Sequence, residues 1–169
     1  MIVLISGATH TGKTALSQRL LEKYKFPYLS IDHLKMGLIR SGQTSISVVD
    51  DEKLTPYLWQ IVKEVIKTAI ENKQNLIIEG CYIPFDWKND FTAEYLAQIK
   101  YCCLIMSKGY LQNHFSKVLA YENIIEKRAD FDVTKEELIE ENEKNLRLCK
   151  QHALDYILID KEYKVDIDI

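Results

Sequence analysis

The chain has 169 residues, 47% of them hydrophobic and 28% charged, which is enough apolar side chain to build one globular domain and too much for a disordered chain. Its formal charge is −3, without the basic excess of a general nucleic-acid binder, so no nucleic-acid partner is expected. The apolar start Ile2–Ile5 is too short for a membrane span and lacks the basic flank and cleavage pattern of a secretory leader, so a cytoplasmic protein without a membrane partner is expected.

In chain order, short apolar runs alternate with longer stretches of helical period. The runs are Ile2–Ile5, Pro27–Ile31, Leu76–Ile78, Tyr101–Met106 and Tyr156–Ile159. Each is continuous rather than alternating, which suits strands buried on both faces of a parallel sheet. Between the second and third runs, Thr55-Pro56 reads as an N-cap with proline at the first helical position, followed by a stripe of Leu58, Ile61, Val62, Val65, Ile66, Ala69 and Ile70. Leu111, Phe115, Val118, Leu119 and Ile125 form a later stripe. Thr134 and Glu137 have the spacing of a capping box ahead of Leu138, Asn142, Leu146 and Cys149. Strand–helix alternation of this kind predicts an α/β domain with five strands. The tail Lys161–Ile169 reads equally as a short edge strand or a frayed end. The cysteines Cys81, Cys102, Cys103 and Cys149 have no zinc or redox spacing and read as free thiols, with Cys102 and Cys103 on opposite faces of one strand.

The sharpest motif follows the first run. Gly7-Ala8-Thr9-His10-Thr11-Gly12-Lys13-Thr14 matches G-x-x-x-x-G-K-[ST], with a buried strand before it and helical period (Ala15, Leu16, Leu20, Tyr24) after it. A chain of this size matches the pattern by chance on the order of one time in a hundred. Glycine at positions 7 and 12 lets the backbone wrap a polyphosphate, the loop amides form an anion nest, and the helix N-terminus adds partial positive charge. Lys13 is expected to reach the terminal phosphates and the Thr14 hydroxyl to hold Mg²⁺. His10 reads as a solvent-facing filler rather than a catalyst. The Asp-x-x-Gly switch of regulatory GTPases is missing from the sequence, and Asn72-Lys73-Gln74-Asn75 reads as a helix end rather than a guanine reader, which makes ATP the expected nucleotide.

With this loop and its strand–helix setting, the chain resembles the small P-loop kinases of the adenylate kinase, shikimate kinase and gluconate kinase group. It is also similar to 2-phosphoglycerate kinase domains in the segment Glu79-Gly80 to Pro84. The resemblance implies a three-layer P-loop NTPase fold: a five-stranded parallel sheet of order 2-3-1-4-5, with helices on both faces. It implies one domain over residues 1–169 with a short lid around residues 127–134. The cofactors it implies are ATP and Mg²⁺, and the reaction is transfer of the γ-phosphoryl group to a small acceptor such as a nucleotide, a sugar acid or a similar metabolite. Two alternatives stay open: a nucleotide-dependent switch with a protein partner, and a kinase acting on a macromolecule. Oligomeric state is not indicated.

Further candidates lie at the strand ends, where open α/β sheets bind ligands. Asp32, after the second strand, is placed to orient or deprotonate the acceptor, or to cap the next helix. Leu34 stands where the shikimate kinases carry a second carboxylate. Glu79 ends the third strand as a Walker B acid, a second metal candidate beside Thr14, and Gly80 leaves room for a ligand. The aromatic loop Cys81–Trp87, with Tyr82, reads either as an acceptor wall or as a core plug. Lys35 and Arg40 are candidates to grip an anionic acceptor or are solvated charges. The resemblance makes Arg128 the lid arginine, catalytic and nucleotide-binding, with Arg147 second; both also suit a helix end, where cations are favourable. His33, His114 and His152 show no metal spacing.

Overall fold

β1 (Ile2–Gly7) is buried along its whole length because it lies at the centre of the sheet. The computed structural model describes residues 1–120 and 133–169. In chain order the remaining elements are α1 (Lys13–Tyr24), β2 (Tyr28–Ser30), α2 (Ile31–Arg40), α3 (Asp51–Glu71), β3 (Leu76–Glu79) and a 3-10 turn at Trp87–Asp90. The short α4 (Ala93–Leu96), β4 (Ile99–Met106), α5 (Lys108–Ala120), α6 (Lys135–Gln151) and β5 (Tyr156–Ile159) follow. The five strands pair in parallel in the order β2-β3-β1-β4-β5. Strand–helix alternation predicts this α/β architecture, and the sheet order is the one that the resemblance to small P-loop kinases implies.

Alternation along the strands builds two cores. Ile2 and Leu4 of β1, Ile78 of β3 and Cys103 and Ile105 of β4 face one layer, packed under Leu58, Val62 and Ile66 of α3 and Cys149 of α6. Val3, Ile5, Ile77, Cys102 and Leu104 face the other, against Leu16 and Leu20 of α1 and Leu111 and Val118 of α5. Cys102 and Cys103 thus fall on opposite faces, as a period of two requires, and all four cysteines are free thiols. No described helix is long and apolar enough to cross a membrane.

Two local expectations change, and one open reading narrows. α3 starts at Asp51, not at Pro56, because Asp50 caps it by accepting the Lys53 amide at 3.2 Å, with Asp51 and Glu52 in the first turn. Pro56 therefore sits inside the helix, where it brings no N–H for the carbonyl one turn back. The tail is neither edge strand nor frayed end: it is a strap without strand pairing. Within it Val165 is buried and its carbonyl accepts from Arg19 at 2.7 Å, and Asp168 receives Lys23 and Tyr24, each at 3.0 Å. The loop at residues 81–87 is largely a core plug: Ile83 and Trp87 are buried, and Trp87 stacks on Tyr101 with ring centroids 5.7 Å apart. The capping box of α6 forms as expected, with Thr134 accepting from the Glu137 amide and Glu137 from that of Thr134.

Candidate functional site

The turn between β1 and α1 is wound by Gly12, which caps α1 in the left-handed region at φ 85°; a Cβ there would also strike the Tyr163 hydroxyl. That hydroxyl donates to the Thr11 carbonyl at 3.0 Å, so the tail braces the loop from outside. Inside the loop, the Thr11 hydroxyl donates to the Ala8 carbonyl at 2.8 Å. Lys13 is 3% exposed, and its ammonium donates to the carbonyls of Gly7 at 3.1 Å and Ala8 at 2.7 Å. Its charge is therefore held over the concave face of the turn. His10 is not the solvent-facing filler expected: it takes φ 62° and is half-buried, with both ring nitrogens out of solvent.

Register sets the acidic partners. Glu79 pairs with Ile5 of β1 and with Ser30 of β2, which brings its carboxylate level with the start of the loop. Glu79 is buried, and its Oε1 accepts from the Thr14 hydroxyl at 3.2 Å. The two expected metal ligands are thus neighbours. Two hard oxygens suit Mg²⁺, which is commonly held by one or two protein ligands while phosphates and waters complete the octahedron. Among the described residues there is no cluster of three or more His, Cys, Asp or Glu side chains arranged for a metal. The room expected at Gly80 is used by packing: a Cβ there would come within 2.9 Å of the Ile31 side chain.

A second polar group surrounds the end of β2. Asp32 is not the cap of α2, a position that Ser30 takes; it lies in the first turn and pairs with Lys35 at 2.9 Å. Lys35 also donates to the Tyr82 hydroxyl at 2.8 Å, and that hydroxyl donates to Asp51 at 2.9 Å. Burial pushes the Tyr82 phenol well above its ordinary range, with Cys81, Asp32 and Asp51 adding to the effect, so it stays a proton donor. Asp51 was not singled out in the sequence; an acidic residue in the first turn of a helix carries no signal beyond favourable placement. Arg40 is exposed at the far end of α2, and Arg147 is exposed on α6. Arg128, Lys127, Ile125 and all but the end of the expected lid lie outside the described residues. His114 stacks on Tyr110 and bonds its carbonyl at 3.1 Å, a local structural role.

The sequence also missed Glu141 of α6. The Thr9 amide donates to both of its carboxylate oxygens, at 3.3 and 3.2 Å. Burial raises its pKa, which the opposite charge of Lys13 and the Thr9 amide partly offset. Burial pushes the Cys81 thiol up to about 11, with Lys13 opposing the shift and Asp32, Glu141 and Asp51 adding to it.

No protein-family model and no curated protein matches the chain. Solved structures do. A protein from Chloroflexus aurantiacus provisionally designated a kinase is similar with a TM-score of 0.57 and 16% identity, over 98% of this chain and 91% of its own. Shikimate kinase from Bacteroides thetaiotaomicron is similar with a TM-score of 0.54 and 13% identity, over 98% and 89%. A sugar kinase from Janibacter sp. HTCC2649 gives 0.56 and 11%, over 94% and 84%. At these identities the likeness is one of fold, that of the small P-loop kinases.

Proposed function

We propose that the chain is an ATP-dependent phosphotransferase that moves the γ-phosphoryl group to a small-molecule acceptor. The observation that carries the reading is the arrangement at the sheet's C-terminal edge. A phosphate loop with an inward lysine and the Thr14–Glu79 pair share that edge with the Asp32–Lys35–Tyr82–Asp51 group. The kinase fold of the solved neighbours supports it.

Phosphoryl transfer asks for positioning and charge neutralisation more than for covalent chemistry. The loop amides and Lys13 hold the polyphosphate, and Lys13 balances charge that builds on the transferring group. Thr14 and Glu79 are the residues that would hold Mg²⁺, which would supply positive charge against the phosphates. Asp32 presents a carboxylate that accepts a hydrogen bond from the acceptor hydroxyl and takes its proton late, when the leaving oxygen is largely free. The ion pair with Lys35, at 2.9 Å, holds the Asp32 carboxylate in place. Tyr82 and Asp51 fix Lys35 so that the carboxylate keeps its direction. Arg128 is proposed as a lid cation that closes over the phosphates.

The test is Mg-ATP consumption across nucleosides, nucleotides, sugars, sugar acids and glycerate derivatives. One acceptor class is expected to stimulate turnover. Lys13→Ala should lower kcat/KM by about 10²–10³-fold and Asp32→Asn by about 10²–10⁴-fold. Wild-type turnover that no acceptor stimulates, or an Asp32→Asn enzyme of full activity, would contradict the reading.

A further inference from the structure

The inner surface of a phosphate loop is built for anions, and here one of its amides is engaged by a carboxylate from another element. Glu141 comes from α6, 132 residues further along the chain, and both its oxygens lie within 3.3 Å of the Thr9 nitrogen. The helix is held there by its neighbour in sequence. Asn142 is buried, accepts the Met106 amide at the end of β4 at 2.8 Å, and donates to the Leu138 carbonyl at 2.8 Å. β4 is the strand beside β1, with Leu104 in register with Gly7, so this anchor sets α6 against the loop. The charges facing Glu141 are Lys13 of α1, which attracts it, Asp51 of α3, which repels it, and Lys144 of its own helix, which attracts it. A polyphosphate brings several negative charges to the same loop. It competes with Glu141 for the Thr9 amide and for Lys13, and the two anions repel each other.

We propose that Glu141 is an internal anion of the phosphate loop, a stand-in for phosphate that bound polyphosphate displaces, and that it thereby lowers the affinity of the site. This rests on the nucleotide-binding reading above. It assigns α6 a role besides packing: the carboxylate side chain leaves the loop when the loop fills, and returns when it empties.

The experiment is calorimetric titration of the full chain with inorganic tripolyphosphate and with ATP. It compares wild type, Glu141→Gln, Glu141→Ala and Lys13→Ala, with thermal melting of each to confirm folding. Tripolyphosphate carries no base or sugar, so it reads the loop alone. Both Glu141 variants are expected to bind it about tenfold more tightly than wild type, the effect of removing one solvent-screened like-charge repulsion. Lys13→Ala is expected to bind it more weakly. Unchanged or weaker binding by folded Glu141 variants would overturn the proposal and mark Glu141 as a brace or a ligand of the site. If neither wild type nor the Glu141 variants bind tripolyphosphate or ATP, the phosphate-loop reading fails, and the proposal fails with it.

Discussion

Tyr82 shows how one side chain serves both the core and the site. Its ring is buried with Ile83 among the apolar residues above the sheet, while its hydroxyl stands between the Lys35 ammonium and the Asp51 carboxylate. Hydrogen bonds to charged groups contribute about 1.5–3 kcal/mol each. Tyr82→Phe keeps the ring and removes both bonds, which frees Lys35 to turn and take Asp32 with it. The expected result is a KM for the acceptor raised about tenfold or more, with the affinity for ATP unchanged. Acceptor kinetics beside a nucleotide titration check this, and an unchanged KM would remove Tyr82 from the acceptor site. At this scale the sequence is uneven. Gly7, Gly12, Lys13 and Thr14 are legible because a phosphate loop admits few other residue types at that spacing. Asp51 and Glu141 are not, because a carboxylate on an amphipathic helix looks the same in sequence whether it faces water or a neighbour. Only the packing of α3 and α6 onto the sheet separates the two cases.

Elements are positioned by a small number of polar ties. The 3-10 turn after the aromatic loop is bound to α3 through Asp90, which accepts from the Trp59 indole at 2.8 Å and pairs with Lys63 at 2.9 Å. Lys63, and then Trp59, hold the Asp90 carboxyl below its ordinary pKa. A depressed carboxylate adds stability above its unfolded value, near 3.8, and that stability is lost as pH falls through the folded value. Asp90→Asn should therefore cost about 1 kcal/mol at pH 7 and flatten the acid limb of stability below about pH 4. Melting temperatures from pH 7 down to pH 3 test both parts, and an unchanged acid limb would show that the tie contributes nothing. The strands are legible from continuous apolar runs, because burial on both faces leaves no polar alternation. The start of α3 is misread at Pro56 because proline is a strong local signal, whereas the Asp50 cap depends on where the preceding loop delivers the chain. The tail is unreadable alone: its alternating residues make sense only against Arg19, Lys23 and the outside of the phosphate loop.

For the whole molecule, a parallel sheet with β1 at its centre gathers three strand ends at one edge. β1 delivers the phosphate loop, β3 delivers Glu79, and β2 delivers Asp32, while α3 and α6 lean over them with Asp51 and Glu141. Alternation of strands and helices predicts the layers, but not the order of strands, which comes from resemblance to kinases and is the order found. The acceptor's identity is not written in the fold, because solved structures of this fold include both a shikimate kinase and a sugar kinase. The activity we propose is coupled transfer from the phosphate loop to an acceptor held beside Asp32. Its most direct measurement is ³¹P NMR of the products formed from Mg-ATP and the acceptor class that stimulates turnover. The expected spectrum shows one phosphorylated acceptor for each ADP formed, with its formation slowed about 10²–10⁴-fold in an Asp32→Asn variant that still binds ATP. ADP accompanied by free phosphate alone would contradict it.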